Sequence, residues 1–218
     1  MKVGILGSGV VGTTLGHALI RLGHSVMIGT EHPQKEALRR WLLENSQAGQ
    51  IGSFSAAAAY GDIIILCTSW RGTKKTIEAA GIWNFKKKVV VDVTNPLDGR
   101  GPDESGRLSL SPGNSASGGE QIQAWLQDAH VVKTLNSYGH QLMTAPQLKE
   151  GIPTMLMAGN DDLAKKAIAD LLSQMGWQDV VDIGNIEMSR YLEGLYVLWY
   201  AYGMQTGNWE HAFRLLRK

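Results

Sequence analysis

The sequence has little of what marks several large classes of protein. Its 218 residues include one cysteine, Cys67, so no internal disulfide can form, and the apolar run around Cys67 indicates a small buried side chain. With 21 basic and 20 acidic residues the net charge is +1, which provides no basic surface for nucleic acid or an anionic membrane. No apolar stretch approaches the about 20 residues of a membrane span. We therefore expect a cytoplasmic protein whose partner is a small molecule, with neither nucleic acid nor a membrane involved.

Sequence signatures of metal sites and of catalytic dyads are also missing. The six histidines do not have the spacing of metal ligands, and neither His-Glu-x-x-His nor Cys-x-x-Cys occurs. We therefore predict no metal site and assign no catalytic acid or base.

Short apolar segments alternate with helix-like stretches along the first two thirds of the chain. The apolar segments lie at 3–6, 25–28, 63–67, 89–93 and 130–133, and the helix-like stretches at 10–22, 34–44, 73–80 and 119–126. Apolar strands without polar alternation are typical of sheets covered on both faces. Right-handed crossovers then place helices on both sides of a parallel sheet. Residues 98–119, rich in Gly, Ser, Pro and charge, predict a long loop that is either a lid or disordered.

The pattern of apolar and polar residues changes after Pro153. The pattern predicts a strand at 154–158, a helix capped by Asn160 or Asp161 and ended by Gly176, a strand at 180–183, and an apolar helix at 186–202. A helix that is apolar nearly all round is buried in its own chain or against a partner chain. The predicted fold is α/β: a doubly wound parallel Rossmann sheet with a small α/β C-terminal extension ending in apolar helices. We divide it into a dinucleotide-binding domain at 1–150 and a region at 151–218 that completes the substrate pocket and the interface of a homodimer.

A glycine-rich motif follows the first predicted strand directly and opens the first helix. It has the spacing G-x-G-x-x-G and consists of Gly7, Ser8, Gly9, Val10, Val11 and Gly12. In a dinucleotide-binding turn the first glycine permits the tight bend, the second lets the pyrophosphate approach the backbone, and the third allows the helix to pack closely on the strand. The first N–H groups of the helix then face the phosphates. The motif therefore predicts a nicotinamide dinucleotide site.

The end of the second strand faces the adenosine ribose in this fold and bears on the choice between NAD and NADP. Glu31 is suited to a ribose diol and would repel a 2′-phosphate, whereas Thr30, His32 and Lys35 are donors that suit the phosphate. Both dinucleotides remain open on this pattern.

Polar residues also follow the later strands, whose carboxyl ends meet at the cofactor edge of such a sheet. Asn95 and Asn136 either bond the nicotinamide carboxamide or ribose, or simply form turns. Trp70 either lies against the cofactor or packs. The candidate cofactor-binding residues at these strand ends are Thr68, Ser69, Trp70, Asn95, Asn136 and Gly139.

The order of these segments resembles the coenzyme F-420-dependent NADP oxidoreductase family almost from end to end. The resemblance is carried by ILGSGVVG at 5–12, DVTNPL at 92–97, VVKTLN at 131–136, AGND at 158–161, the pairs Leu192-Glu193 and Leu198-Trp199, and AFRLLR at 212–217. It implies hydride transfer between NADP(H) and a flavin or deazaflavin.

The resemblance also implies roles for individual residues. The dinucleotide would be held by residues 8–11, the 2′-phosphate would be recognised at Thr30, Glu31 and Lys35, and the nicotinamide would lie near Ser69, Asn95 and Gly139. Many family members have arginine where this chain has Glu31, so NAD stays a candidate beside NADP.

Two other functions fit the same fold. A non-catalytic sensor would bind NADP(H) and report its redox state to a protein partner. A reductase of small carbonyl compounds would need a proton donor, for which Tyr138 or His140 is the candidate.

Overall fold

A sheet of eight strands forms the centre of the computed structural model, which describes residues 1–111 and 116–218. The strands are β1 (Lys2–Leu6), β2 (Ser25–Gly29), β3 (Gly49–Gly52), β4 (Ile63–Leu66), β5 (Val89–Asp92), β6 (His130–Lys133), β7 (Thr154–Gly159) and β8 (Asp179–Asp182).

The strand order is β3-β2-β1-β4-β5-β6-β7-β8. All neighbouring strands pair in parallel except β6 and β7, which pair antiparallel. The chain therefore crosses over between β3 and β4, on either side of β1 and β2. The carboxyl ends of β1 to β6 lie along one edge, called here the cofactor edge, where α/β sheets of this order bind their ligands.

Strand β7 is displaced along the sheet. Only its last residues pair with β6, with Gly159 opposite Val132 and Ala158 opposite Lys133. Its first four residues, from Thr154 to Met157, pair with β8 instead. Because β7 runs antiparallel to β6, this first half extends past the carboxyl end of β6.

Helices cover both faces of the sheet. Within the described ranges they are α1 (Val10–Arg21), α2 (Glu36–Glu44), α3 (Phe54–Tyr60), α4 (Trp70–Ala80), α5 (Gly118–Trp125), α6 (His140–Met143), α7 (Asp162–Gln174) and α8 (Ser189–Thr206), with 3-10 turns at Ile82–Phe85 and Ile186–Met188. The cap predicted at Asn160 or Asp161 is provided by Asp161, which accepts a 2.7 Å hydrogen bond from the Ala164 N–H. Ser117 begins α5 with a capping box to Glu120.

Alternate residues of each buried strand enter two separate cores. Ile5 and Ile65 contribute to the core beneath α1, α2 and α7, whereas Leu6 and Leu66 contribute to the core beneath α3, α4 and α5. All four side chains are buried. Two-sided burial explains why these strands lack polar alternation, and it confirms the prediction of a doubly wound α/β fold.

Four features differ from the sequence-based prediction. The structure adds the edge strand β3 and the short helix α3, and β7 runs antiparallel to its neighbour β6. Helix α5 begins at Gly118, so the predicted loop ends earlier than expected. The division at residue 150 stays a prediction, since one sheet includes strands from both proposed regions.

The first part of the predicted loop is folded back on itself. Leu97 and Leu110 form an isolated antiparallel bridge, and the N–H of Asp98 donates to the Ser109 carbonyl at 3.0 Å. Residues 112–115 lie outside the described residues, and the assignment of this segment as a lid stays a prediction.

Helix α8 buries one face in its own chain and leaves another exposed. Leu192 and Trp199 are buried, whereas Tyr191, Leu198 and Tyr202 are 64%, 56% and 50% exposed. In the part of the chain that the structure describes, no helix has the length and apolar character needed to cross a membrane.

Candidate functional site

The glycine turn between β1 and α1 has two glycines that the fold requires and one that it does not. Gly7 has a φ of +128°, and a Cβ there would lie 2.6 Å from the Cys67 carbonyl oxygen. A Cβ on Gly12 would lie 2.1 Å from the Gly7 carbonyl oxygen. A Cβ on Gly9 would have no atom within 4 Å. The open space beside Gly9 is where a pyrophosphate would approach the backbone.

The N-terminus of α1 suits an anion. Gly9 is the N-cap and has no side chain to bond the first N–H groups, and the first turn contains no acidic residue. These N–H groups and the positive end of the helix dipole therefore remain available to a phosphate beside Gly9. The exposed side chain of Val10 makes the surface beside this helix N-terminus partly apolar.

Of the four polar residues considered at the end of β2, one is buried and hydrogen-bonded and three are exposed. The Thr30 side chain is 7% exposed, and its hydroxyl lies 2.9 Å from the Ser8 hydroxyl and accepts from the His32 N–H at 3.0 Å. Thr30 thus joins the β2 end to the glycine turn. Glu31, His32 and Lys35 are exposed beyond it.

Beyond β4, the structure separates the three predicted residues. The Thr68 hydroxyl bonds the Thr73 hydroxyl at 2.8 Å, and Ser69 is exposed at the start of α4. The Trp70 ring stacks on Trp125, with centroids 5.7 Å apart. For Trp70 the packing role is therefore the one that the geometry supports.

Asn95 and Asn136, from neighbouring strand ends, meet in a reciprocal pair. The Asn95 Nδ2 donates to the Asn136 carbonyl at 2.9 Å, and the Asn136 Nδ2 donates to Asn95 Oδ1 at 2.9 Å. Asn136 Nδ2 also lies 3.1 Å from the Leu192 carbonyl on α8. Asn136 is buried, whereas Asn95 is partly exposed. A Cβ on Gly139 would lie 3.3 Å from the Trp199 ring, so Gly139 also contacts α8.

A buried charge cluster lies directly behind this pair. The Lys133 ammonium is fully buried and lies 2.8 Å from Asp92, 2.9 Å from Glu193 and 2.6 Å from the Thr94 carbonyl. Burial by itself would lower the pKa of Lys133, but the Asp92 and Glu193 carboxylates outweigh it and hold that pKa above its ordinary value. Lys133 therefore stays charged.

Sequence reasoning did not single out this cluster. The sequence feature that could have revealed it is a charged residue at the end of two apolar strands, Asp92 in β5 and Lys133 in β6. A buried charge needs a partner, so two such residues of opposite sign on strands with aligned ends predict an ion pair.

Tyr138 is not free to act as a proton donor. Its hydroxyl is held by the Thr154 carbonyl at 2.7 Å and the Phe213 carbonyl at 3.3 Å, and its side chain is 2% exposed. Burial raises the pKa of Tyr138 above its ordinary value. The ring also stacks on Trp177, with centroids 5.6 Å apart. Among the described residues no cluster of histidine, cysteine or acidic side chains forms a metal site.

Comparison with known proteins gives consistent results for family and fold. The profile of the family described as NADP oxidoreductase, coenzyme F-420-dependent, matches residues 2–96. The F-420-dependent NADP reductase of Methanocaldococcus jannaschii is 30% identical over 204 residues, which cover 89% of each chain. A crystal structure from Arthrobacter sp. FB24, described as a proposed F-420-dependent NADP reductase, has 35% identity and a TM-score of 0.93 over the whole of both chains.

More distant proteins share parts of this similarity. The rat metalloreductase STEAP3 is 26% identical over 194 residues, which are 89% of this chain and 36% of the rat protein. The imine reductase of Aspergillus terreus has 17% identity and a TM-score of 0.62, covering 94% of this chain and 63% of its own. The imine reductase likeness shows the fold alone.

Proposed function

Because the chain belongs to the coenzyme F-420-dependent NADP oxidoreductase family, we propose that it transfers a hydride between NADP(H) and a flavin or deazaflavin acceptor. The geometry that supports the dinucleotide half is the glycine turn, where Gly9 has open space and α1 has an uncapped N-terminus. The nicotinamide supplies the hydride chemistry when bound, and the protein holds and orients it.

The acidic and basic groups behind the cofactor edge are occupied by hydrogen bonds within the protein, which supports an acceptor of the flavin type. Asp92, Lys133 and Glu193 bond one another, and the Tyr138 hydroxyl is buried against two carbonyls. None of these four groups is available to protonate a substrate. A flavin or deazaflavin ring accepts a hydride without a strong acid positioned by the protein, so this edge suits it better than a carbonyl compound.

The residues proposed to hold the nicotinamide are neutral hydrogen-bonding groups. Asn95 presents its amide from the reciprocal pair, and Ser69 and Gly139 lie at the starts of α4 and α6, which follow the flanking strands β4 and β6. Neutral donors and acceptors can orient the carboxamide and ribose without changing the charge at the ring. Exclusion of water would come from the acceptor itself stacking on the nicotinamide.

One experiment tests both halves of the proposal. Purified protein is titrated with NADPH and with NADH, and the NADPH complex is then mixed with a deazaflavin or FMN in a single turnover. Tight NADPH binding followed by oxidation of the bound nicotinamide, recorded from its absorbance, supports the reductase. Tight binding with no oxidation by either acceptor would refute the acceptor class and favour the sensor.

Glu31 is expected to weaken NADPH binding. Its carboxylate is exposed at the ribose end and would repel a 2′-phosphate, so Glu31→Gln should raise NADPH affinity about tenfold and change NADH affinity much less. The matched control is Glu36→Gln, which removes an exposed carboxylate paired with Arg40 on α2. Fluorescence titration of both variants measures the effect, and equal changes in the two would show that Glu31 does not face the phosphate.

Carbonyl reduction is tested at its two candidate donors. Tyr138→Phe removes a buried hydroxyl with two carbonyl partners and is expected to cost about 1–3 kcal/mol in the free energy of unfolding. Neither Tyr138→Phe nor His140→Gln should slow flavin reduction per folded molecule. A loss on the order of 100-fold in either variant, measured with a carbonyl substrate, would support general-acid catalysis instead.

The exposed face of α8 supports a homodimer. Tyr191, Leu198 and Tyr202 lie at intervals of seven and four residues, so they share one side of the helix. A second copy of the chain would cover this apolar surface. Light scattering should give twice the mass of 23.8 kDa, and Leu198→Asp should shift the protein to a monomer. A monomeric wild-type protein at micromolar concentration would contradict the assignment.

A further inference from the structure

The buried charge cluster of Asp92, Lys133 and Glu193 is placed to orient the segment that carries Asn95. Asp92 Oδ1 accepts from both the N–H and the hydroxyl of Thr94, at 2.8 and 2.7 Å. The Lys133 ammonium contacts the other Asp92 oxygen and the Thr94 carbonyl. Thr94 is thus held at its N–H, its hydroxyl and its carbonyl, and Asn95 follows it directly.

The same ammonium fixes α8 at this edge. Glu193 lies 2.9 Å from Lys133 and also accepts from the N–H groups of Gly118 and Gly119, at 3.1 and 3.2 Å. The preceding residue, Leu192, offers its carbonyl to Asn136, the partner of Asn95. Two adjacent residues of α8 therefore contact the two parts of this edge, Leu192 the Asn95–Asn136 pair and Glu193 the charge cluster.

The cost of burying these charges suggests a role beyond stability. A well-packed apolar cluster of the same volume is often at least as stable as a buried ion pair. What apolar side chains cannot supply is direction, because each contact of Lys133 constrains one particular oxygen. The ammonium determines the orientation of a backbone carbonyl one residue from Asn95.

We propose that Lys133 is a positioning residue for hydride transfer, acting through Thr94 and Glu193 to hold Asn95 and α8 in register at the cofactor edge. The inference rests on the proposed function in taking Asn95 as a neighbour of the nicotinamide. Small displacements of a bound reactant are costly to rate, on the order of 100-fold for about 1 Å. Disturbing the cluster should therefore lower the rate of hydride transfer more than the affinity for NADPH.

The test uses Glu193→Gln, which keeps the size of the side chain and removes the charge that faces Lys133. The single-turnover rate of NADPH oxidation should fall about tenfold, with the NADPH dissociation constant changed by less than about threefold. Lys133→Met should have a larger effect where the variant folds. If Lys133→Met is insoluble, Glu193→Gln alone decides the result.

Arg190→Gln is the matched control. Arg190 lies one turn before Glu193 on α8 and also joins α5, through a 2.7 Å ion pair with Glu120, but it does not contact Lys133. Its rate should stay within about twofold of wild type. If Glu193→Gln and Arg190→Gln lose equal rate, and each loss of rate follows a fall in melting temperature, the cluster has only a structural role and the proposal is overturned.

A second readout does not depend on turnover. Amide hydrogen exchange of the peptide spanning residues 93–97 should become faster in Glu193→Gln and stay unchanged in Arg190→Gln. If the wild-type protein transfers no hydride from NADPH to either acceptor, the proposed function is wrong, and the exchange result still decides whether the cluster orients this segment. Unchanged exchange in Glu193→Gln would overturn the positioning role even in an active enzyme.

Discussion

Gly9→Ala is expected to leave the protein fully folded and to lower its NADPH affinity on the order of 100-fold. The Gly9 backbone is extended, with φ of −78° and ψ of −177°, which any residue adopts. The added methyl group would meet no protein atom within 4 Å, so the melting temperature should not change. It would occupy the space through which the pyrophosphate approaches the first turn of α1.

Gly12→Ala should have the opposite signature. Its Cβ would lie 2.1 Å from the Gly7 carbonyl oxygen, and because this contact is with backbone it cannot be relieved by a side-chain rotation. We expect a loss of about 3 kcal/mol or more in the free energy of unfolding, because α1 must move away from β1. NADPH affinity would fall as a consequence of that movement.

Thermal melting and NADPH titration of the two variants separate the roles. Gly194→Ala is the control, since its Cβ also meets nothing within 4 Å and its place in the interior of α8 predicts a gain of up to about 1 kcal/mol with unchanged NADPH binding. A Gly9→Ala protein that binds NADPH like wild type would mean that the dinucleotide does not pass over the glycine turn.

Truncation before Ile186 is expected to abolish soluble expression. It removes Glu193, which leaves the first N–H groups of α5 without their acceptor. It also removes the buried side chains of Leu192 and Trp199, which exposes the core around Tyr138. Lost burial of several large apolar groups and loss of a partner in a buried charge cluster each cost several kcal/mol, comparable with the whole stability of a domain.

A shorter truncation after Gly207 should be milder. It removes the tail that bonds Thr154 through the Phe213 carbonyl and the Leu215 N–H, and the His211 that stacks on Trp199. We expect a soluble protein that binds NADPH, with a melting temperature lower on the order of 10 °C. Solubility assays and differential scanning fluorimetry distinguish the two truncations. A soluble fragment 1–185 that binds NADPH would show that α8 is not part of the folding unit.

The parts of the fold that were predictable from sequence are those with a local signal. The buried strands are recognisable as apolar runs such as Ile63–Leu66. The glycine turn is recognisable because its G-x-G-x-x-G spacing lies between an apolar strand and a helix. Strand β3 has no such signal, because two of its four residues are glycine and it forms the sheet edge. Helix α3 is seven residues long with four alanines, too short for a periodic pattern.

Features that depend on distant partners were not predictable. The direction of β7 is set by the connection that precedes it, which leaves no trace in its own apolar pattern. The convergence of Asn95 and Asn136 on one edge follows from strand order, but their reciprocal hydrogen bonds depend on a register between residues 41 positions apart. Glu193 lies 60 positions from Lys133 along the chain, and the sequence of its helix, α8, is mostly apolar, so it does not indicate a buried ion pair.

The displaced pairing of β7 makes this strand project beyond the cofactor edge next to β6. Its first four residues continue past the end of β6 by about 13 Å, at roughly 3.3 Å per residue, and they are stabilised by β8 and the C-terminal tail rather than by β6. The six parallel strands that form the glycine turn and the Asn95–Asn136 pair do not depend on the length of this extension. A change in the length of this extension is therefore expected to alter one side of the cofactor edge and to leave the glycine turn and the Asn95–Asn136 pair in place.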